Sequence, residues 1–373
     1  MKIIIAGDFC PQNRVAEIFE QGNYGEVLGE VKDIISDADY SIVNFESPVT
    51  VGIEKPITKC GPTLQCSLKC VEAIKWAGFE CVTLANNHFL DYGKKGAELT
   101  LKACEKYGID TVGGGKNLQE ASKVLYKKID GKTLAVINCC EHEFSIATDE
   151  TAGSNPLNPI QQYYAIQEAK KKADYVIVIV HGGHEMWQLP SPRMQEAYRF
   201  FVDAGADAVV NHHQHCYSGY EFYKGKPIIY GLGNFCFDNP NYYVGLWEYG
   251  YIVSLSFGTD VAFKLIPYEQ CKKKPTIIIT KNPSSFENHI KKLNAIIADS
   301  ERLSEETARY FPRATKNIRL AFEPYNGRLL CKLFRIGLIP KLMTKTKLLK
   351  LQNIITCEAH RDKTIYALKH FKS

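Results

Sequence analysis

Short apolar runs rich in Val and Ile recur along the 373 residues, at positions 3–6, 40–45, 81–85, 133–138, 175–180, 208–211 and 227–231. Each has the length of a buried strand and gives way to a polar loop and a helical pattern. Residues 24–36, 67–77, 93–107, 161–173 and 192–204 carry apolar positions at intervals of three and four, the period of a helix with one face on a core. This alternation predicts an α/β domain. The YIVSLSF run after Gly250 predicts one more strand. Near Cys271 a lysine-rich link intervenes, and helical patterns follow at 290–297, 304–310 and 354–371. The expected organisation is a domain over 1–270 and a basic helical C-terminal extension over 271–373, with no repeat or low-complexity tract.

Polar residues fall at the ends of these strands. Asp8 follows the first run, Asn44 and Glu46 close the second, and Asn86, Asn87 and His88 follow the third. His181 and His184 follow the 175–180 run, and His212, His213 and His215 follow the 208–211 run. In an open α/β sheet the carboxyl ends of the strands hold the binding crevice, so residues distant in sequence are expected to converge there.

Composition narrows the class. Hydrophobic residues at 45% and charged residues at 23% are ordinary for a globular chain and exclude a largely disordered or fibrous one. A net charge of +5, with basic residues crowded toward the C-terminal end, tilts toward an anionic partner. No nucleic-acid-binding module accompanies it. The opening MKIIIAGDFC has too short an apolar run for a secretory signal, and no stretch reaches the roughly 18 apolar residues of a membrane span. A soluble cytoplasmic chain is expected. Thirteen cysteines, an odd number without a C-x-x-C pair, read as reduced thiols, several of them small hydrophobes inside apolar runs.

Carboxylates, imidazoles and a carboxamide form a mixed oxygen and nitrogen ligand set that suits Mn, Zn, Fe or Mg. Asp8, Glu46, Asn87, His181, His213 and His215 are the candidate metal ligands. His213 and His215, two apart after a strand, are expected to share a side if the chain stays extended. Glu46 has two oxygens with which to bridge two ions about 3.5–4 Å apart. Gly7 beside Asp8 points to close approach of the backbone to a ligand. His88 diverges from Asn87 and is expected to face substrate, with Asp91 orienting its imidazole or, alternatively, capping the helix that follows. His184 and Glu185 complete the candidate catalytic group, and Arg14, Asn44, Asn86 and Asn234 are candidate substrate-binding residues. Gly113 to Gly115 lacks a phosphate-loop frame and reads as a turn.

The ordered blocks GD at 7–8, NFESP at 44–48, LANNHFLDYG at 84–93, HGGHE at 181–185, AGADAVVNHHQH at 204–215 and GKPIIYGLGNF at 225–235 resemble the CapA, or poly-gamma-glutamate capsule biosynthesis, family. The resemblance covers roughly residues 1–260. It implies kinship with the calcineurin-like metallophosphoesterases and a sandwich of two mixed sheets flanked by helices. It further implies one or two divalent ions: Asp8 and His215 would hold the first, Glu46 would bridge, and Asn87, His181 and His213 would hold the second. The phosphoesterase pattern opens D-x-H where this chain has Asp8-Phe9-Cys10, and Glu46 stands where Asp is usual. The first ion would then be short of an imidazole unless Cys10 or another residue substitutes. Two functions are expected on this basis: a metal-dependent hydrolase of a phosphoester or related acyl or polymer bond, or a binding, assembly or transfer component for an anionic capsular polymer.

Overall fold

Successive residues of the first strand, β1 (Lys2–Phe9), enter different cores: Ile3 and Ile5 join one apolar cluster, Ile4 and Ala6 another. A strand apolar on both faces must be covered on both. In this computed structural model, residues 1–239, 245–314, 322, 323, 325, 327–356, 360, 361, 363, 364 and 368 are described. The chain goes on through β2 (Tyr40–Phe45), β3 (Cys81–Thr83), β4 (Asp110–Val112), β5 (Gly114–Gly115), β6 (Leu125–Ile129), β7 (Lys132–Cys140) and β8 (Gly153–Ser154). It continues with β9 (Tyr175–His181), β10 (Ala208–His212), β11 (Tyr220–Tyr223), β12 (Lys226–Ile229), β13 (Asn234–Cys236), β14 (Tyr249–Phe257), β15 (Val261–Gln270) and β16 (Ile277–Ile279). The helices of this part are α1 (Asn13–Glu20), α2 (Tyr24–Ser36), α3 (Leu68–Ala77), α4 (Gly93–Lys106), α5 (Leu118–Ala121), α6 (Pro159–Lys170), α7 (Pro192–Asp203) and α8 (Ser284–Ile297).

One sheet runs β16-β15-β14-β1-β2-β3-β4, with β13 also paired to β1; the other runs β11-β12-β10-β9-β7-β6. Both are mixed: β1 to β4 are parallel, as are β7, β9, β10 and β12, while β14 to β16, β6 and β11 join antiparallel. Ile3, Ile5 and Ile42 of the first sheet share a core with Val136, Val178 and Val210 of the second, which places that core between the sheets. Phe19, Val31, Val71 and Ala97 from α1 to α4 cover the first sheet's other face, and Ile166, Tyr198 and Phe201 from α6 and α7 pack on the second. The architecture is the expected α/β/β/α sandwich.

The apolar runs foretold the central strands closely. Strands β6, β11 and β15 were not foreseen, because each is half-exposed and mixes charged or polar residues with its apolar ones; β16 was not foreseen because three isoleucines are shorter than the apolar run that marks a strand. Ser67 is not helical but caps α3, accepting a hydrogen bond from Lys69 N.

The first compact unit spans Met1–Ser304, past the expected boundary at residue 270. Beyond that boundary β16 pairs with β15, and Ile290, Leu293 and Ile297 of α8 enter the inter-sheet core. The second unit, Glu305–Ser373, includes the helices Arg328–Arg335 and Lys345–Thr356. Of the helix expected over 354–371, residues 357–359, 362, 365–367 and 369–371 lie outside the described residues. No described helix is long and apolar enough to cross a membrane.

Candidate metal centre

Parallel pairing sets the register of the site. Asp8 lies opposite Asn44 on β2 and Asn234 on β13, while His181 lies opposite His212 on β10. The carboxyl ends of the central strands of both sheets therefore contribute, where a single open sheet would have offered one edge. Gly7 makes this close assembly possible, since a Cβ there would sit 1.9 Å from Gly233 O. Its role is to let β1 approach the Gly233 backbone, not a ligand as expected.

Strand β10 stops at His212, and the chain then turns. His213 and His215 have φ of 89° and 53°, so their imidazoles are aimed from left-handed backbone and not from an extended strand as expected. Such conformations cost roughly 1–3 kcal/mol each outside glycine and persist where neighbours over-determine them. Gln214 between them supplies that restraint, donating from Nε2 to Trp187 O at 2.9 Å and Leu189 O at 3.3 Å.

The donors converge in two overlapping groups, Glu46 with His181 and His213, and Asp8 with Glu46 and His215; within each the ligand atoms lie inside 4.8 Å of one another. His181 Nε2 is 3.0 Å from Asn87 Oδ1, 3.1 Å from His213 Nδ1 and 3.5 Å from Glu46 Oε1. His215 Nδ1 is 3.4 Å from Asp8 Oδ2, and its Nε2 is 3.8 Å from Glu46 Oε1. Both oxygens of Glu46 are buried without a hydrogen-bond partner among the described residues. A bare buried carboxylate is costly, and a cation would relieve it. The residues present thus fit a divalent ion.

Electrostatics agree with that reading. Burial, and then the charge on Asp8, push the Glu46 carboxyl well above its ordinary range. Burial would raise Asp8 too, but the imidazoles of His212 and His215 hold it well below. Burial lowers His181 and His213, each helped by the next imidazole of the cluster, so both present lone pairs at neutral pH. His215 is pushed up to about 10: burial works against it, but Glu46 and Asp8 prevail.

His88 Nδ1 lies 2.6 Å from Asp91 Oδ2, which also accepts from Leu64 N at 2.6 Å. The helix after it, α4, is capped by Tyr92 without a side-chain bond, so Asp91 orients the imidazole and does not cap. Burial outweighs Asp91 and lowers His88 below its ordinary value. His184 is half-buried with its ring 5.6 Å from that of Trp187. Glu185 is exposed and forms a third potential ligand group with His213 and His215.

The four expected substrate-binding residues are engaged with protein. Arg14 pairs with buried Asp238 at 2.7 Å and donates to Cys271 O at 2.8 Å. Asn44 donates to Asp8 Oδ1 at 2.8 Å and accepts from Thr83 Oγ1 at 3.1 Å. Asn86 donates to Phe45 O and accepts from His88 N, and Asn234 Oδ1 meets His215 Nδ1 at 2.9 Å. Asn44 and Asn234 thus hold metal-ligand candidates in place, Asn86 braces the loop carrying His88, and Arg14 fastens α1 to the 271–273 segment.

Two neighbours were not foreseen as site residues. His212 Nδ1 lies 3.3 Å from Asp8 Oδ1, although the sequence placed it only in the strand-end cluster. Lys59, from the 51–66 loop, is almost fully buried, pairs with Asp91 and lies 3.2 Å from His88 Nδ1. A lone Lys in a loop reads from sequence as a solvated cation. Among the described residues Cys10 joins no ligand group: it packs with Leu64, Phe237 and Trp247, and burial pushes its thiol well up.

Two mixed sheets under helices, with carboxylate, carboxamide and imidazole donors converging where their central strands end, define an α/β/β/α protein with a candidate metal centre. Residues 2–239 match the family described as bacterial capsule synthesis protein PGA_cap, and the chain belongs to that family. It is 35% identical over 246 residues to the capsule biosynthesis protein CapA of Bacillus anthracis, covering 64% of this chain and 60% of that protein. It is likewise 35% identical over 235 residues to the PGA biosynthesis protein CapA of Bacillus subtilis (strain 168), covering 62% of each. The match thus spans less than two thirds of these relatives' length. A crystal structure described as a novel phosphatase from Mycoplasma pneumoniae overlays with a TM-score of 0.45 at 17% identity, covering 77% of this chain and 96% of that one.

Proposed function

We propose that this chain is a metal-dependent hydrolase acting on a phosphoester or a related acyl or polymer bond in capsule or exopolysaccharide biosynthesis. The observation that carries this reading is Glu46, with two buried oxygens that find no hydrogen-bond partner among the described residues, facing the imidazoles of His181, His213 and His215. Glu46, Asn87, His181 and His213 would hold one ion, and Asp8, Glu46 and His215 a second, with Glu185 at hand as a further ligand. A divalent ion there would polarise the scissile group's oxygen and lower the pKa of water. Asn44 and Asn234 fix the rotamers of Asp8 and His215. His88 donates its Nδ1 proton to Asp91, which leaves Nε2 to take up a proton and deliver it to the leaving oxygen.

A second reading is a single-ion site that binds or transfers an anionic polymer without hydrolysing it. Cys10, buried and protonated where the phosphoesterase pattern has an imidazole, favours it. Metal analysis, with assays on generic phosphomonoesters and phosphodiesters before and after Glu46→Ala and His213→Ala, tests the first reading. Stoichiometric metal, with turnover lost in both variants, is expected. A metal-soaked protein that carries no ion would refute both readings, whereas metal without turnover, with poly-glutamate raising the Tm, would favour the second.

A further inference from the structure

The second unit carries a surface unlike the rest of the chain. Between Glu323 and Glu358 the sequence has no acidic residue but seven basic ones: Arg328, Lys332, Arg335, Lys341, Lys345, Lys347 and Lys350. In the helix Arg328–Arg335 the basic residues recur at four and three, so Arg328, Lys332 and Arg335 share one side. Leu329, Leu330, Leu333 and Phe334 occupy the other, and no residue of this helix is buried. Phe334 turns toward the Tyr325 ring, 5.6 Å away. Leu329 and Leu330 do not retreat: they are 69% and 42% exposed, and Ile336 and Leu338 just beyond are 60% and 69% exposed. Leu348, Leu349 and Ile355 continue the apolar exposure along Lys345–Thr356.

Apolar residues left in water at this density mark a contact surface. Its chemistry narrows the partner. A nucleic acid would use the cations but gain little from the leucines. An interface of anionic lipid uses both, since acyl chains take up the apolar side while headgroup phosphates meet the Lys and Arg of the polar side. We infer that the segment 328–350 docks this protein on the surface of a membrane containing anionic lipid, lying in the interface without crossing it. The docking is independent of the metal centre, whose residues all belong to the first unit.

The test is co-sedimentation of the full chain with vesicles of phosphatidylglycerol and phosphatidylcholine, against vesicles of phosphatidylcholine alone. Binding to the mixed vesicles only, weakened by high salt, is expected. Two double variants, Leu329→Ser with Leu330→Ser and Lys332→Glu with Lys345→Glu, should each lower partitioning by roughly tenfold or more, because each lysine near such a surface adds a factor of about five and each buried leucine at least as much. Circular dichroism and metal content, unchanged in both, would show that the first unit still folds. The inference fails if the full chain stays in the supernatant with mixed vesicles, or if either variant, still folded, sediments as before. It fails equally if light scattering shows that the leucine variant only dissolves a self-associated form, or if the chain binds an oligonucleotide and no vesicle.

Discussion

His88 shows how a side chain's role is set by what surrounds it. Its Nδ1 is committed to Asp91, and Asp91 is itself held by Leu64 N and Lys59. His88→Ala should lower kcat by a factor on the order of 10²–10⁴ while metal content stays intact, the loss typical of a missing proton donor. Lys59→Met should act differently. The Lys59 cation is one of the influences holding His88 low, so its removal should move the alkaline limb of the kcat profile, where the proton donor is lost, to higher pH, read from rates across a pH series. At this scale the sequence was informative about residue type at strand ends. It was silent on Lys59, whose burial arises from a loop packing back on the site, and it assigned Arg14, Asn44, Asn86 and Asn234 to substrate because their protein partners come from distant elements.

Elements decide where the folded unit ends. Strand β16 adds hydrogen bonds to β15, and α8 buries Ile290, Leu293 and Ile297 against the inter-sheet core. Gln195 Nε2 donates to Ile297 O at 2.9 Å, and Tyr220 N donates to Asn294 Oδ1 at 2.8 Å, which ties α8 to α7 and β11. A chain cut after residue 270 would expose the apolar face that α8 covers, each large side chain being worth roughly 1.5–3 kcal/mol of burial. Residues 1–304 should therefore express as a cooperatively melting protein, and residues 1–270 should aggregate or melt far lower in a thermal scan. Comparable Tm values for the two would overturn this boundary. The period-three pattern at 290–297 was visible in the sequence, but the partner of that apolar stripe was not.

For the molecule as a whole, metal and protons compete for the same donors. Glu46 is raised in the folded chain, so between the ordinary carboxyl value and its own it binds a proton that the unfolded chain has lost. The folded form then holds more protons, and the stability of the metal-free chain falls as pH rises through that window. His215, raised to about 10, acts in the same direction from the ordinary imidazole value upward. His181 and His213 are lowered and act oppositely: they cost stability in acid and cease to do so above the ordinary imidazole value. Metal must displace the protons on Glu46 and His215, so the Tm rise on adding Mn or Zn should grow from pH 6 to pH 8, reaching the equivalent of about 2.7 kcal/mol at a hundredfold excess over Kd. Glu46→Gln should raise the Tm of the metal-free protein at neutral pH and abolish the metal-dependent rise; calorimetry with and without a chelator reads both. The sequence alone determined the central strands, the helices between them and the donor types at their carboxyl ends, because apolar period and strand-end position are local properties of a chain. Only the tertiary structure decided that two sheets supply the donors, that left-handed backbone aims His213 and His215, and that Glu46 is left bare among imidazoles. Those facts depend on which distant segments share a register, and no local pattern encodes that.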